Sequence, residues 1–238
     1  MSAPVLVADS VTKSFGSRRV LTAGSLRAVP GEVRVMFGRN GIGKSTLMKI
    51  AAGVLWADSG TVRIDDRVFR RPTLPQLARA GVFYLPDHDL LSPSFSVGAQ
   101  LAFFEQRFGA RSALEAARRT RIELQLDQRP QQLSGGELRR AELAAALTRR
   151  PRCLLADEPF RGIAPIDHDA LTEILLGMAA DGCAVVVTGH EVPSLLSLAH
   201  HITWCTAGTT IELGPPAEAL RNASFQRDYI LSAGAIGR

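Results

Sequence analysis

Lysine is nearly missing from this 238-residue chain: Lys13, Lys44 and Lys49 are the only three among its 28 lysines and arginines. The net charge of +5 therefore rests on arginine, and the arginines are scattered, in nothing longer than doublets such as Arg18-Arg19, Arg70-Arg71, Arg118-Arg119 and Arg149-Arg150. A nucleic-acid groove needs a basic stripe or patch, so this spacing argues against a nucleic-acid partner and for a solvated surface. Cysteine is scarce as well. Cys153, Cys183 and Cys205 are odd in number and lie in apolar, strand-like stretches, which excludes a disulfide framework and fits three buried, reduced thiols. No apolar run approaches the roughly 18 residues of a membrane span. The start of the sequence has no charged-then-apolar signal segment, so a cytoplasmic chain is expected, with peripheral docking on a membrane partner left open. Internal repeats and low-complexity tracts are absent too.

What is present begins with Gly38-Arg39-Asn40-Gly41-Ile42-Gly43-Lys44-Ser45-Thr46. It follows Val33 to Phe37, an apolar run broken only by Arg34, which reads as a buried strand. It opens a stretch in which Leu47, Ile50, Ala51 and Val54 fall at helical spacing. Strand, glycine-rich loop and helix together make a credible phosphate loop. Its backbone N–H groups can ring a polyphosphate, and the helix start adds partial positive charge. Lys44 can reach the β- and γ-phosphates, and the Ser45 hydroxyl can ligate Mg²⁺. The chain is thus expected to bind a nucleoside triphosphate.

The length allows one substantial core with an appended subdomain. Strands are expected over Val5 to Ser14 and around Leu21 to Arg27, with a turn at Asp58-Ser59-Gly60 and a hairpin about Asp65-Asp66. A short helix over Leu74 to Ala80 and a buried strand over Val82 to Leu85 follow. Phe15, in a loop ahead of the phosphate loop, can stack on a base or pack in the core. From Val97 to Gln132 the composition turns to Ala, Arg, Glu, Gln and Leu, as in a helical insertion. A helix over Leu138 to Leu147, buried strands at Cys153 to Ala156 and Ala184 to Val187, and two strands near Ile202 to Cys205 and Thr209 to Leu213 complete the pattern.

Three further stretches carry chemistry. Leu133-Ser134-Gly135-Gly136-Glu137 reads as an anion site at a helix start or as a plain helix cap. Cys153-Leu154-Leu155-Ala156-Asp157-Glu158-Pro159 delivers two carboxylates at the end of a buried strand, the edge at which open α/β sheets bind ligands. Asp157 there would hold Mg²⁺, and Glu158 would orient an attacking water. His190 follows the next strand at the same edge, as a γ-phosphate contact or a packing residue.

In this order the motifs resemble the nucleotide-binding domain of ABC transporters, over nearly the whole chain. Tyr84-Leu85-Pro86, Asp157-Glu158-Pro159-Phe160-Arg161-Gly162-Ile163 and Gly214-Pro215-Pro216-Ala217-Glu218 are most similar to the stand-alone ATPase subunits of lipopolysaccharide-export and branched-chain amino acid systems. The resemblance implies an α/β fold: a P-loop NTPase core with a mostly parallel sheet, an N-terminal antiparallel β subdomain and an inserted α-helical subdomain. It implies one domain over 1–238, with 1–86 and 133–238 as core and 87–132 as the helical part. The activity implied is ATP hydrolysis with ATP and Mg²⁺ as cofactors. Lys44, Glu158 and His190 would be catalytic; Phe15, residues 38–46, Ser134, Gly135 and Gly136 would bind nucleotide; Ser45, Asp157 and Asp87 would bind metal. The partners implied are a second copy or a related ATPase subunit, in a head-to-tail dimer that sandwiches ATP, and a transmembrane permease at the inner face of the cell membrane.

Two positions depart from the family pattern. Asp87, followed by His88, stands where glutamine is usual, and Ala164 stands where the dimer-contact loop usually has aspartate. A soluble ABC-type ATPase of cofactor assembly or nucleic-acid work, and an ATP-binding regulatory module with weak hydrolysis, stay open as alternatives to the transport reading.

Overall fold

The computed structural model describes residues 3–108 and 112–230, so the outermost ends of the expected 1–238 domain lie outside the described residues. Ten strands form one sheet: β1 (Leu6–Phe15), β2 (Arg18–Ala28), β3 (Val33–Phe37), β4 (Ser59–Ile64), β5 (Arg67–Phe69), β6 (Val82–Leu85), β7 (Cys153–Ala156), β8 (Ala184–Thr188), β9 (His201–Thr206) and β10 (Thr209–Gly214). Their order is β5-β4-β1-β2-β10-β9-β3-β8-β7-β6. Strands β9, β3, β8, β7 and β6 run parallel, while β5, β4, β1 and β2 pair antiparallel. Strand β10, antiparallel to β9, meets β2 in parallel at Thr209 against Ala23, and bonds such as Ser25 N–H to Thr210 Oγ1 help join the two parts.

The parallel strands are short and apolar because both faces are covered. Val33, Val35 and Phe37 of β3 enter one core, and Met36 enters the other. Arg34, which interrupts this run in sequence, does not interrupt it in space. Its guanidinium is held by Glu32 at 3.2 Å and Glu212 at 3.1 Å, so the buried charge is paired. Below the phosphate-loop strand, Phe225 packs edge-on against Phe37 and Trp204, with centroids 5.5 and 6.1 Å apart.

The longer helices are α1 (Lys44–Ala51), α2 (Leu74–Arg79), α3 (Val97–Phe108), α4 (Ala113–Arg119), α5 (Gly135–Arg149), α6 (His168–Ala180) and α7 (Val192–Leu198), and short helical turns at Pro216–Ala219 and Ala223–Phe225 follow. Helices α3 and α4 pack against α5 and supply the helical part of the chain. Helices α6 and α7 had no counterpart in the sequence reading.

Some expectations shift. Helix α1 ends at Ala51, and Gly53 turns with φ +72, where a β-carbon would lie 2.6 Å from the Thr73 carbonyl carbon. Val54 is therefore outside the helix and half-exposed rather than on its apolar face. Ser59 and Gly60 belong to β4 and not to a turn, because Gly60 at φ +92 lets that strand lie directly against the Asp9 carbonyl. The three cysteines are buried free thiols, as expected.

One buried ion pair sits behind the sheet edge. Arg139 and Glu142 of α5 lie 2.9 Å apart with both side chains almost fully covered, and burial raises the Glu142 carboxyl above its ordinary range despite Arg139. Arg139 also donates at 2.8 Å to the carbonyls of Pro86 and Asp87, which fixes the loop after β6. Arg139→Met strands a buried carboxylate and is expected to lower unfolding stability by about 3 kcal/mol or more. The double change with Glu142→Met should recover part of that loss. Urea unfolding of the three proteins checks this, and a double variant less stable than Arg139→Met would contradict it.

Candidate active site

The site forms at the C-terminal ends of β3, β8 and β7, which lie side by side in that order. In such sheets this is the edge at which ligands bind. The loop after β3 carries residues 38–43, the turn after β7 carries Asp157 and Glu158, and His190 follows β8.

Glycine is required sterically at two places in the loop. A β-carbon on Gly38 would lie 2.8 Å from Ile42 Cγ2 and 2.9 Å from Cys205 Cβ. Gly43 has φ +116, and a β-carbon there would approach Leu21 Cδ2 to 2.7 Å. Their absence of side chains lets the loop curl tightly over Lys44. The Lys44 ammonium is buried and donates to the Gly38 carbonyl at 2.6 Å and the Arg39 carbonyl at 3.4 Å. Among the described residues it makes no ion pair. Burial lowers its pKa, and the nearby Glu158, Cys205 and Asp157 partly offset that.

Asp157 is the buried centre of the site. Its Oδ1 accepts from Thr188 Oγ1 at 2.7 Å and from Ser45 Oγ at 3.0 Å, and its Oδ2 accepts from Tyr84 Oη at 3.1 Å. Burial first, and then Asp157 itself, push the Tyr84 phenol far above its ordinary pKa, so it remains a donor. The Thr188 hydroxyl is used twice, since it also accepts from the Glu158 backbone N–H at 3.0 Å. Glu158 stands in the left-handed region at φ +46, an uncommon conformation for a residue with a side chain. There its carboxylate meets His190 Nε2 at 3.1 Å.

Phe15, Asn40, Gly41, Gly43, Lys44, Ser45, Thr46 and Glu158 line one pocket of about 280 Å³ together with Arg18 and Val20. Phe15 is 50% exposed, which removes the core-packing reading for it, and Lys13 sits over its ring at 5.6 Å. Arg39 and Gly38 border the site through the carbonyls that hold Lys44, and Ile42 closes the loop by donating to the Arg39 carbonyl at 3.2 Å.

Two groups of expected residues stand apart from this pocket. Ser134 caps α5 in a reciprocal box with Glu137: the Ser134 N–H donates to Glu137 at 2.9 Å, and the Glu137 N–H donates to Ser134 Oγ at 3.3 Å. Ser134 and Gly135 are exposed, Gly136 is buried, and none of the three lines the pocket. The Asp87 carboxylate is paired with Arg161 at 3.0 Å and lies 3.5 Å from His88 Nε2. Sequence reasoning missed Tyr84 and Thr188 as anchors of Asp157. A hydroxyl residue at the end of an apolar strand beside the carboxylate strand is the signal that marks Thr188.

The family model described as ABC transporter matches residues 21–161. The chain belongs to the ABC transporter family. It is 32% identical over 232 residues to the lipopolysaccharide export system ATP-binding protein LptB of Escherichia coli, covering 94% of this chain and 96% of that protein. It is 34% identical over 218 residues to the Nod factor export ATP-binding protein I of Paraburkholderia xenovorans, covering 88% of this chain and 70% of the relative. The ADP conformation of MJ1267, an ATP-binding cassette of an ABC transporter, superposes with a TM-score of 0.84 at 22% identity over 96% of this chain and 99% of that one. That likeness shows the ABC-cassette fold, with its P-loop NTPase core.

In this ABC family member, Thr188→Val removes one donor from Asp157 and the acceptor of the Glu158 N–H. It is expected to cost about 1.5–3 kcal/mol of stability, as for hydrogen bonds to charged groups. Tyr84→Phe should cost less, because its hydroxyl makes only the single bond. Thermal unfolding of the two variants checks the ranking, and a Thr188→Val protein as stable as the parent would contradict it.

Proposed function

We propose that this chain is the ATP-hydrolysing subunit of an ABC transporter. The observation that carries the proposal is Lys44, a buried ammonium bonded only to loop carbonyls, beside a pocket rimmed by backbone of a glycine cradle. A polyphosphate supplies the anion that this arrangement lacks. The half-exposed Phe15 ring offers a face for the base at the other end of the pocket.

The donor set fits Mg²⁺. Hard divalent cations take oxygen ligands, and the Ser45 hydroxyl meets the Asp157 carboxylate at 3.0 Å with no sulfur or imidazole in contact. Ser45 and Asp157 would hold the ion, which, when bound, neutralises charge on the phosphates. Tyr84 and Thr188 fix the orientation of the Asp157 carboxylate. Glu158 is the group placed to orient a water and accept its proton. His190, bonded to Glu158, holds that carboxylate, and its position at the same sheet edge supports a γ-phosphate contact.

The exposed Ser134–Gly135 turn supports a second copy packed head to tail, whose pocket this turn would complete. Support for a permease comes from an apolar groove of about 510 Å³ lined by Leu90, Phe95, Ala99, Phe103 and Phe104, with Phe95 60% and Phe103 61% exposed. Exposed apolar patches of this kind are docking sites. No helix among the described residues is long and apolar enough to cross a membrane, so the span would come from that partner, with this chain peripheral at the inner face.

One observation favours slow turnover as a second reading. Asp87 stands where the family pattern usually has glutamine, and its carboxylate is tied to Arg161, three residues beyond Glu158, instead of lining the pocket.

The test is phosphate release by the purified chain with Mg-ATP. Glu158→Gln is expected to lower the rate on the order of a hundredfold or more, as for loss of a general base, while ATP binding persists. Undiminished turnover in Glu158→Gln would overturn the assignment. Asp87→Gln is expected to raise the rate at saturating Mg-ATP; an unchanged or lower rate would remove Asp87 as the brake. Phe103→Glu should abolish co-purification of an integral membrane protein from solubilised membranes with nucleotide binding intact. Retention of that protein would dismiss the groove.

A further inference from the structure

Helix α5 begins with the exposed Ser134–Gly135 turn, and something must hold that turn in place. Its partner is the loop that follows Glu158. A β-carbon on Gly136 would overlap the Asp167 carboxylate, and one on Gly135 would lie 3.2 Å from the Gly162 carbonyl. The same Asp167 carboxylate accepts from Arg140 Nη1 of α5, with both side chains largely covered. Arg140 Nε is buried with no hydrogen-bond partner in the described structure, and among the described residues Asp167 is the one carboxylate within ion-pair distance of this guanidinium, with the Glu137 charge nearby. A buried cation with a single carboxylate partner is sensitive to loss of that partner.

The adjacent residue extends the link. His168 Nε2 lies 3.2 Å from the Ile163 carbonyl, which can only accept, so this nitrogen donates. Nδ1 then faces the Ser194 hydroxyl of α7 at 2.9 Å. The ring also packs edge-on against Phe160, with centroids 5.3 Å apart. The backbone between closes in turns: Arg161 N–H donates to the Glu158 carbonyl, Ile163 N–H to Phe160, and Asp167 N–H to Ala164. One short segment, 158–168, therefore joins Glu158, the start of α5 and the helix that follows His190.

We infer that Asp167 is a positioning residue for the Ser134–Gly136 turn: through Arg140 and its seat against Gly136, it fixes that turn relative to the loop carrying Glu158. Glycine at 136 leaves room for the carboxylate, and the charge pair keeps α5 from sliding along the loop. Asp167 is not among the residues lining the pocket around Lys44. Its effect is on the face this chain offers to a second copy, while the pocket around Lys44 stays as it is. The inference rests on the proposed ATP-bridged dimer.

The experiment uses the full chain in a Glu158→Gln background, so that ATP is bound and not consumed. Three quantities are measured with and without Asp167→Asn: ATP affinity by fluorescent-nucleotide displacement, melting temperature without nucleotide, and ATP-driven dimerisation by sedimentation. A misplaced group can cost on the order of a hundredfold. The expected result is dimerisation weakened about tenfold or more, with ATP affinity within about twofold of the parent. The double variant Asp167→Asn/Arg140→Gln removes the stranded cation as well. It should recover melting temperature but not dimerisation. Dimerisation that is unchanged, or that recovers in step with melting temperature in the double variant, would overturn the inference. If the Glu158→Gln chain itself fails to dimerise with ATP, the dimer reading falls first and takes this inference with it. If it dimerises and Asp167→Asn does so equally, only this inference falls.

Discussion

Everything at the sheet edge depends on one buried carboxylate. Asp157 takes a hydroxyl from the first helix (Ser45), one from the central strand (Thr188) and one from the outer strand (Tyr84). An unpaired carboxylate buried this deeply would be costly, and three donors from three elements remove that cost. In return they lock β3, β8, β7 and β6 in one register at their C-terminal ends. The phosphate loop, Glu158 and His190 inherit their positions from that lock. Thr188 makes the arrangement tight, because its single hydroxyl serves both the Asp157 side chain and the Glu158 backbone.

A second layer of charge lies behind the first. Arg139 pins the loop after β6, and Arg140 reaches the segment after Glu158. Adjacent residues on α5 thus face different partners, one toward Asp87 and one toward Asp167. The helix that begins with the exposed Ser134 turn is tied to both loops flanking the outer strands. Both loops are thus tied to that helix by a guanidinium in addition to the apolar packing of Phe160, Ile163 and Leu138.

Much of this was legible in the sequence where local chemistry dictates geometry. The phosphate loop needs glycine at 38 and 43 for steric reasons that the coordinates make explicit, and the apolar strands announced themselves by composition. The Ser-Gly-Gly turn marks the start of α5, where Ser134 does cap the helix. Long-range pairings were not legible. Arg34 interrupts an apolar run in sequence, and one of the two carboxylates that pair with it, Glu212, lies 178 residues away. Phe15 was ambiguous between base platform and core, and its exposure removes the core reading. Thr188 ends an apolar strand with a hydroxyl, but that it and Tyr84 converge on one carboxylate was not legible, since sequence spacing does not specify which strands become neighbours. Helix α6 starts at Asp167 and His168 without a side-chain cap, because those side chains are occupied with Arg140 of α5 and the Ile163 carbonyl, partners that sequence spacing does not announce.

The most direct test of the central claim is a calorimetric titration of ATP into the purified chain with and without Mg²⁺, set beside Lys44→Ala. The structure predicts one saturable site per chain, tightened by Mg²⁺ and lost when the buried ammonium is removed. Binding that is indifferent to both Mg²⁺ and Lys44 would contradict it, because the nucleotide would then sit somewhere other than the edge built around Asp157.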